Sequence, residues 1–278
     1  MAGRALVLGG GGVTGVAWEL GILAGLAEAG IDLTAADLIV GTSAGSVVAA
    51  QITTGMSLYE LYERQLDGFG SEVAARMSFG TILKLGWAVL GSRDPQKGRV
   101  RAGAMALAAR TVPESERRAI IAGRLPVHEW PDRKVLITAV AADDGEFVVF
   151  DQYSGVTLVD AVGASCAVPG VWPPVTINGR RYVDGGMRSP VNIDLGAGYD
   201  QVVVLAPIST SLRRETGVAR QVAALPKGTR VAVVEPDQAA RTAIGRNVLD
   251  PAHRAPAARA GRRQADDLVR KVGAVWAS

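Results

Sequence analysis

The chain has 278 residues, of which 48% are hydrophobic and 21% are charged, as in typical globular proteins, so a disordered or fibrous chain is excluded. The formal net charge of +3 is too small for a dedicated nucleic-acid binder, and we expect no nucleic-acid partner. The single cysteine excludes an internal disulfide and a cysteine-based metal cage, and the two histidines leave few candidates for a histidine base or metal site.

The sequence predicts neither a secretion signal nor a transmembrane helix. The N-terminal apolar run Ala5–Leu8 is shorter than the hydrophobic region of a signal peptide. The longest apolar windows, such as Ile82–Leu90, contain Lys84 and fall far short of the roughly 20 residues that a span requires. We therefore expect a cytoplasmic protein, with peripheral contact at the inner face of the membrane left open.

The predicted elements alternate between short apolar strands and helices. In chain order they are a strand at 5–8, a helix at 16–29, a strand at 38–40, a helix at 44–54, helices at 102–109 and 114–121, strands at 135–140 and 147–150, a helix at 158–164, a hairpin of 175–177 and 180–183 around Asn178-Gly179, and strands at 202–205 and 231–234. This alternation predicts an α/β fold, a three-layer α/β/α sandwich with a mostly parallel central sheet. We expect residues 1–278 to form a single domain.

Two regions depart from the alternation. Residues 76–101 mix large apolar side chains with six basic residues and one acidic residue, a net charge of +5. A surface helix with a solvated loop explains this segment, and so does an apolar, basic cap that contacts membrane lipid or an acyl chain. Residues 251–278 predict a basic C-terminal helix, for which a solvated helix is the favoured interpretation.

The first motif with chemical content is Gly9-Gly10-Gly11-Gly12-Val13-Thr14-Gly15, between a predicted strand and a predicted helix. Successive glycines let backbone N–H groups surround an anion, and the helix N-terminus adds partial positive charge. The spacing Gly10-x-Gly12-x-x-Gly15 also fits a dinucleotide fingerprint. Such a site needs a carboxylate at the end of the second strand. Asp32 and Asp37 lie near it in sequence, but that strand ends in Gly41-Thr42-Ser43, so nucleotide binding is the less favoured alternative.

The second motif is Gly41-Thr42-Ser43-Ala44-Gly45, which follows a predicted strand and opens a predicted helix. This context is typical of a nucleophile elbow, in which a strained turn exposes the serine hydroxyl. A serine that merely caps a helix explains the motif less well once the glycine run one unit earlier is considered. We therefore predict that Ser43 is a nucleophile.

The third motif, Asp184-Gly185-Gly186, supplies the candidate base for Ser43. His128 lies between prolines in a connector, and His253 lies near the entry to the basic C-terminal segment, so neither is well placed. Asp184 ends a predicted strand on a glycine turn, where its carboxylate can approach the serine. Cys166 lies at the end of a small-residue helix and is expected to be a buried packing residue.

The three motifs in this order resemble the patatin-like phospholipase family, whose members use a Ser-Asp dyad. The stretch Ala164 to Pro174 is similar to a block of small residues, proline and an aromatic residue in that family, and the resemblance covers approximately residues 5–206. It implies a patatin-like fold and a lipid acyl hydrolase of phospholipase A or esterase type. Ser43 is similar to the family's nucleophile and Asp184 to its base. Gly10, Gly11 and Gly12 match its oxyanion hole, and Gly15, Gly41, Gly45, Gly185 and Gly186 match its other motif glycines.

The resemblance implies a lipid or acyl-ester substrate and neither a metal nor an organic cofactor. Thr14 departs from the pattern, since the family commonly has arginine or lysine there, and this departure favours less anionic substrates. A nucleotide- or lipid-binding protein on a Rossmann-like sheet stays open as the alternative class. A lipid transacylase also stays open, because the sequence does not identify the acyl acceptor.

Overall fold

The computed structural model describes residues 3–67, 79–211 and 213–276. Its strands are Arg4–Leu8 (β1), Leu38–Gly41 (β2), Val135–Ala141 (β3), Phe147–Phe150 (β4), Val175–Ile177 (β5), Arg180–Asp184 (β6), Gln201–Leu205 (β7) and Arg230–Val234 (β8). Its α-helices are Gly12–Glu28 (α1), Ala44–Ile52 (α2), Leu58–Leu66 (α3), Phe79–Leu90 (α4), Pro95–Ala108 (α5), Glu114–Arg124 (α6), Leu158–Ser165 (α7), Val218–Ala223 (α8), Gln238–Ile244 (α9) and Arg254–Trp276 (α10).

The strands form one eight-stranded mixed sheet in the order β5-β6-β3-β2-β1-β7-β8, with β4 also paired to β3. Strands β1, β2, β3, β7 and β8 are parallel, whereas β4, β5 and β6 join antiparallel. In the hairpin between β5 and β6, Asn178 and Gly179 have φ values of 50° and 80°, as a type I′ turn requires. The predicted α/β fold with a mostly parallel sheet is confirmed.

Both faces of the sheet are covered, because alternate side chains of each strand point to opposite sides. In β1, Leu6 and Leu8 pack into a core that includes residues of α1, α2, α7 and α10. Ala5 and Val7 pack into a second core on the other face, which includes Val218 of α8. These layers explain why the strands are apolar without alternation.

Helices α3, α8 and α9 were not among the predicted elements. A signal for α3 is present in the sequence, since Ser57 and Glu60 form a capping box with reciprocal hydrogen bonds. Helix α1 begins at Gly12 instead of the predicted residue 16, inside the glycine run. Glycine has low intrinsic helix propensity, so this start is imposed by tertiary packing.

The C-terminal helix α10 has one buried face and one face exposed to solvent. One face of α10 is buried against α1, where small residues let the two helices approach closely, and Trp18 Nε1 donates to Gln264 Oε1 at 3.0 Å. Its other face carries exposed basic residues. The predicted solvated helix therefore describes one face, whereas the other is part of the core.

The segment predicted as a cap, residues 76–101, corresponds to α4 and α5, and its residues 76–78 lie outside the described residues. Leu85 and Val89 of α4 are buried, whereas Leu83, Trp87 and Leu90 are exposed. In the parts of the chain that the structure describes, no helix has the length and apolarity to cross a bilayer.

Candidate active site

The three motifs lie at the ends of strands β1, β2 and β6, on the side of the sheet where the parallel strands have their carboxyl ends. Leu8 and Gly41 are partners in the register of β1 and β2, so the glycine run and Ser43 leave neighbouring parallel strands at the same level. Asp184 ends β6 and lies opposite Ala139 of β3. Chain connections diverge on either side of β1, which is where open α/β sheets commonly bind ligands.

Ser43 lies on a strained turn between β2 and α2. Its φ of 52° and ψ of −115° lie in a region that non-glycine residues rarely adopt. The turn also brings its neighbours close to other backbone. A Cβ on Gly41 would lie 2.6 Å from Ser46 Cα, and a Cβ on Gly45 would collide with the Leu8 carbonyl. The G-x-S-x-G pattern is thus a steric requirement of this turn, as in a nucleophile elbow.

Asp184 is 3% exposed, and the Gly186 N–H donates to its Oδ1 at 2.7 Å. Burial raises the pKa of Asp184 to about 7, whereas the Ser43 side chain and the Gly186 N–H lower it. A carboxyl with a pKa near neutrality can accept and release a proton at neutral pH.

The glycine run lies beside the serine. The Gly10 N–H donates to the Pro190 carbonyl at 2.8 Å, whereas the Gly11 and Gly12 N–H groups have no protein acceptor within residues 3–67, 79–211 and 213–276. Gly12 has a φ of +60° and begins α1. A Cβ on Gly11 would lie 2.5 Å from Pro207 Cβ. Two N–H donors at a helix N-terminus can accommodate negative charge beside Ser43.

The remaining motif glycines permit close packing around the pair. Gly15 packs within α1 against Ala44, the residue after the serine. Gly185 lies against Thr138 of β3, where a Cβ would collide with the threonine hydroxyl. Gly186 supplies the N–H that binds Asp184.

Several supporting residues were not identified from the sequence. The Ser165 hydroxyl accepts from the Ser43 N–H at 2.9 Å, and the Asn192 amide donates to Thr42 Oγ1 at 3.0 Å. Fully buried Glu19 accepts from the Gly9 N–H at 3.0 Å, and burial raises its pKa well above the usual range. A carboxyl in the middle of apolar α1 was the available signal for Glu19. The contacts of Ser165 and Asn192 join residues more than 100 positions apart, so no local pattern reveals them.

Ser43 and Asp184 open into a cavity of about 310 Å³, the size of a small-molecule site. Apolar residues of α4, including Leu85 and Val89, and Trp172 form part of its wall. Its charged side chains, among the described residues, are Asp184 and four arginines, Arg117, Arg124, Arg188 and Arg213.

Other candidates from the sequence lie elsewhere or are packed. His128 and His253 do not line the cavity, and their rings contact backbone carbonyls of Ala122 and Ala243. Asp37 accepts from the Arg4 N–H at the opposite end of β2 from Ser43, so it cannot serve as a ribose-binding carboxylate at this edge. Cys166 is buried, and its thiol donates to the Ser43 carbonyl at 3.3 Å. The described residues contain no group of three or more His, Cys, Asp or Glu side chains that could hold a metal.

Comparison with known proteins agrees with this architecture. A sequence profile described as "Patatin-like phospholipase" matches residues 6–196, which include all three motifs. The chain therefore belongs to the patatin-like phospholipase family. Uncharacterised NTE family proteins of Mycobacterium tuberculosis and Mycobacterium bovis are 31% identical to it over 204 residues. The alignment covers 73% of this chain and 48% of each relative, so the matched region is about half the length of these relatives.

Comparison with solved structures gives matches at low sequence identity. VipD from Legionella pneumophila superimposes with a TM-score of 0.50 at 13% identity, over 97% of this chain and 67% of that chain. The type III effector ExoU of Pseudomonas aeruginosa gives a TM-score of 0.44 at 18% identity, over 98% of this chain and 53% of that chain. The VipD likeness supports the fold assignment.

Proposed function

We propose that this protein is a serine-dependent lipid acyl hydrolase of phospholipase A or esterase type that uses a Ser43-Asp184 dyad. The carrying observation is that Ser43, on its strained turn, and buried Asp184 line the same largely apolar cavity, where the Ser43 side chain favours the ionised form of Asp184. Membership in the patatin-like phospholipase family supports a lipid ester as the substrate.

In the proposed reaction, ionised Asp184 accepts the hydroxyl proton as Ser43 Oγ attacks the ester carbonyl carbon. The carbonyl oxygen becomes an oxyanion that the Gly11 and Gly12 N–H groups stabilise. The C–O bond to the alcohol then breaks, Asp184 returns the proton to the leaving oxygen, and an acyl-serine remains. Water attacks this acyl group, gives its proton to Asp184, and the fatty acid leaves as Ser43 recovers its proton.

This scheme assigns two residues to the oxyanion hole, whereas the sequence predicted three, Gly10, Gly11 and Gly12. The Gly10 N–H already donates to Pro190, so we assign Gly10 to holding the loop against that carbonyl. Gly11 and Gly12 provide the donors. Losing one such donor typically raises the barrier by about 2.7–4 kcal/mol.

We also propose that α4 makes peripheral contact with a membrane. Leu83, Trp87 and Leu90 are 53%, 73% and 57% exposed, although they are large apolar side chains. Their spacing of four and three residues places them on one face of α4. Leu85 and Val89, on the other side, line the cavity, so a lipid at this surface would lie close to the route to Ser43.

The dyad is tested with soluble p-nitrophenyl esters of increasing chain length. We expect Ser43→Ala and Asp184→Asn each to lower kcat/KM by at least about 10³-fold, because each removes a group that acts only in the chemical step. Ser154→Ala, at an exposed serine, is the matched control and should retain activity. A fluorophosphonate probe should label the wild type and not Ser43→Ala.

The alternatives give different results in the same assays. A binding protein would neither hydrolyse the esters nor react with the probe. A transacylase would react with the probe and form an acyl-serine, but would turn over only when an acceptor other than water is supplied. Full activity of folded Ser43→Ala would exclude the proposed mechanism.

A further inference from the structure

Strands β2 and β6 pair with the same edge of β3, one beyond the other, because β4 occupies the opposite edge over both stretches. The pairing with β2 ends at Ile137, and the pairing with β6 begins at Ala139, so Thr138 lies between them. Ser43 follows the end of β2, and Asp184 is the last residue of β6. The proposed nucleophile and base therefore leave the sheet on either side of this junction.

Three polar side chains fill the junction, those of Thr42, Thr138 and Asn192, and all three are fully buried. The Thr138 hydroxyl donates to Thr42 Oγ1 at 3.0 Å, and Asn192 Nδ2 donates to the same oxygen at 3.0 Å. The described residues that line the cavity include none of the three, so any effect on the chemistry acts through their neighbours. A buried polar network whose hydrogen bonds are made stabilises one particular arrangement of the core.

The network contacts both of the turns that carry the proposed dyad. Thr42 immediately precedes Ser43 in the G-x-S-x-G motif. Gly185 immediately follows Asp184, and it lies so close to Thr138 that a Cβ would collide with the threonine hydroxyl. A shift of Thr42 relative to Thr138 would therefore change the separation of the serine and the aspartate.

Asn192 is held in one orientation. It has a φ of 52° and a ψ of 49°, a left-handed conformation that asparagine adopts more readily than most residues. Its Nδ2 also donates to the Ser189 carbonyl at 3.0 Å, and its Oδ1 accepts from Arg188 Nη1 at 2.8 Å. Both ends of the side-chain amide are thus engaged, and Asn192 joins Thr42 to the segment that follows the D-G-G turn.

This segment is itself anchored to α8. Gln221 Nε2 donates to Ser189 Oγ at 2.7 Å, and Gln221 Oε1 accepts from the Ile193 N–H at 2.8 Å. Ser189 Oγ also accepts from the Asn192 N–H at 3.2 Å. The anchor lies behind the cavity wall, so the position of Asn192 does not depend on what occupies the cavity.

We propose that Asn192 is a positioning residue, which holds the turn of Ser43 at a fixed distance from the turn of Asp184. It acts through the hydroxyl groups of Thr42 and Thr138. The inference rests on the proposed function, because it concerns the geometry that the proposed dyad needs. Proton transfer requires donor and acceptor within hydrogen-bond reach, and a displacement of about 1 Å can cost about 100-fold in rate.

The first test is the variant Asn192→Gly, assayed with a soluble p-nitrophenyl ester at a temperature where circular dichroism shows it folded. Glycine adopts the left-handed conformation freely, so the change removes the amide without straining the backbone. We expect kcat to fall at least about tenfold and KM to change less than about twofold, because Asn192 does not line the cavity. The midpoint of the pH–rate profile should move upwards, since a more distant Ser43 side chain lowers the pKa of Asp184 less.

Two variants of Thr42 separate the hydroxyl contact from packing. Thr42→Val keeps the shape of the side chain but removes the acceptor of Asn192 Nδ2, and it should lower kcat as Asn192→Gly does. Thr42→Ser keeps the oxygen and should lose at most about threefold. Asn178→Gly is the matched control, because Asn178 also has a left-handed φ, of 50°, but is exposed at the turn before β6. It should keep the kcat of the wild type.

The inference is overturned if folded Asn192→Gly keeps the kcat of the wild type, if Thr42→Ser loses as much activity as Thr42→Val, or if Asn178→Gly loses as much as Asn192→Gly. If Asn192→Gly does not fold, the two Thr42 variants decide. A wild type that neither hydrolyses esters nor reacts with the fluorophosphonate probe would overturn the proposed function and this inference with it. Fully active variants beside an active wild type would overturn the inference alone.

Discussion

At the scale of single residues, the properties of Asp184 follow from competing demands. Burial favours the neutral carboxylic acid, whereas the Ser43 side chain and the Gly186 N–H favour the carboxylate. The balance puts its pKa at about 7, above that of an ordinary aspartate and below that of a carboxyl that stays protonated throughout the neutral pH range. The Asp184 carboxyl therefore gains proton affinity without losing the ability to ionise.

This balance predicts a pH dependence. Only ionised Asp184 can accept the Ser43 proton, so kcat/KM for a soluble neutral ester should rise with pH and level off above a pKa of about 7. At pH 5, two units below that value, activity should be about 100-fold under the plateau. A pH–rate profile from pH 4.5 to 9 measures it, and a profile that is flat from pH 5 upwards would contradict the assignment.

The pH dependence of the free energy of unfolding tests the pKa of Asp184 independently of activity. In the unfolded chain Asp184 has its ordinary pKa of 3.8, so the folded state binds more protons between pH 3.8 and about 7. Protonated Asp184 contributes to the free energy of unfolding. This contribution is fully present below pH 3.8 and is lost as pH rises through about 7. The difference in the free energy of unfolding between Asp184→Asn and wild type should therefore be about 2–3 kcal/mol more in favour of the variant at pH 8 than at pH 5. Urea unfolding at the two pH values measures it.

The position of the candidate site could be predicted from the sequence where it follows from local geometry. Ser43 and Asp184, which line one cavity, stand out because their neighbours are glycines that a tight turn requires. Ser165 and Arg117 were missed, because their contacts with Ser43 and Trp172 form only when distant segments meet. Glu19 contacts Gly9, ten residues away, and its carboxyl within an apolar helix was a signal that the prediction did not use. A buried arginine on a polar helix has no signature in a single sequence.

At the scale of elements, strands were easier to predict than helices. The central strands coincide with apolar runs, since burial on both sheet faces leaves no polar alternation, whereas β5 and β6 were predicted from the Asn178-Gly179 turn between them. Helix α5 was predicted only in its second half, because Gly98 and Arg99 weaken the helical pattern near its start. There the Asp94 side chain caps the Gln96 N–H at 2.8 Å, and Pro95 takes the first helical position.

The proposed membrane contact of α4 gives a prediction at the scale of elements. Burying one large apolar side chain in lipid contributes about 1.5–3 kcal/mol, so Trp87→Ser should weaken binding to anionic vesicles about tenfold or more. Lys84 on the same helix should make binding stronger to anionic than to neutral vesicles. Cosedimentation with vesicles of both compositions measures these effects.

Tyr153→Ser is the control for that experiment, since Tyr153 is 84% exposed and belongs to a turn distant in sequence from α4. It should bind vesicles as the wild type does. Hydrolysis of soluble esters by Trp87→Ser should persist, because Trp87 does not line the cavity. Equal vesicle binding by Trp87→Ser and wild type would show that α4 is not the contact surface.

At the scale of the whole molecule, the site depends on residues beyond the family match, which ends at residue 196. The Val248 carbonyl accepts from the Thr14 N–H at 3.2 Å, and Val248 and Leu249 line the cavity. Helix α10, which follows, packs against α1 at Trp18, Gly21 and Gly25. We propose that residues 1–278 work as one domain for this reason.

The contact between α1 and α10 gives a prediction at this scale. A Cβ on Gly21 would collide with the Ala258 carbonyl of α10, a backbone atom that cannot rotate away. Gly21→Ala should therefore lower the free energy of unfolding by about 1–3 kcal/mol, as overpacking of a core does, although alanine favours a helix. Gly86→Ala in α4, where a Cβ meets nothing within 4 Å, should instead raise it by about 0.5–1 kcal/mol.

Urea unfolding of the two variants separates packing from helix propensity, because the substitution is the same in both. If α10 were only a solvated appendage, both variants would be stabilised alike. A lower midpoint for Gly21→Ala, together with reduced ester hydrolysis at temperatures where the wild type is stable, would show that the C-terminal helix supports the glycine loop. The cavity needs this part of the chain as well, since the lining residues from Ile208 to Leu249 all follow residue 196, where the family match ends.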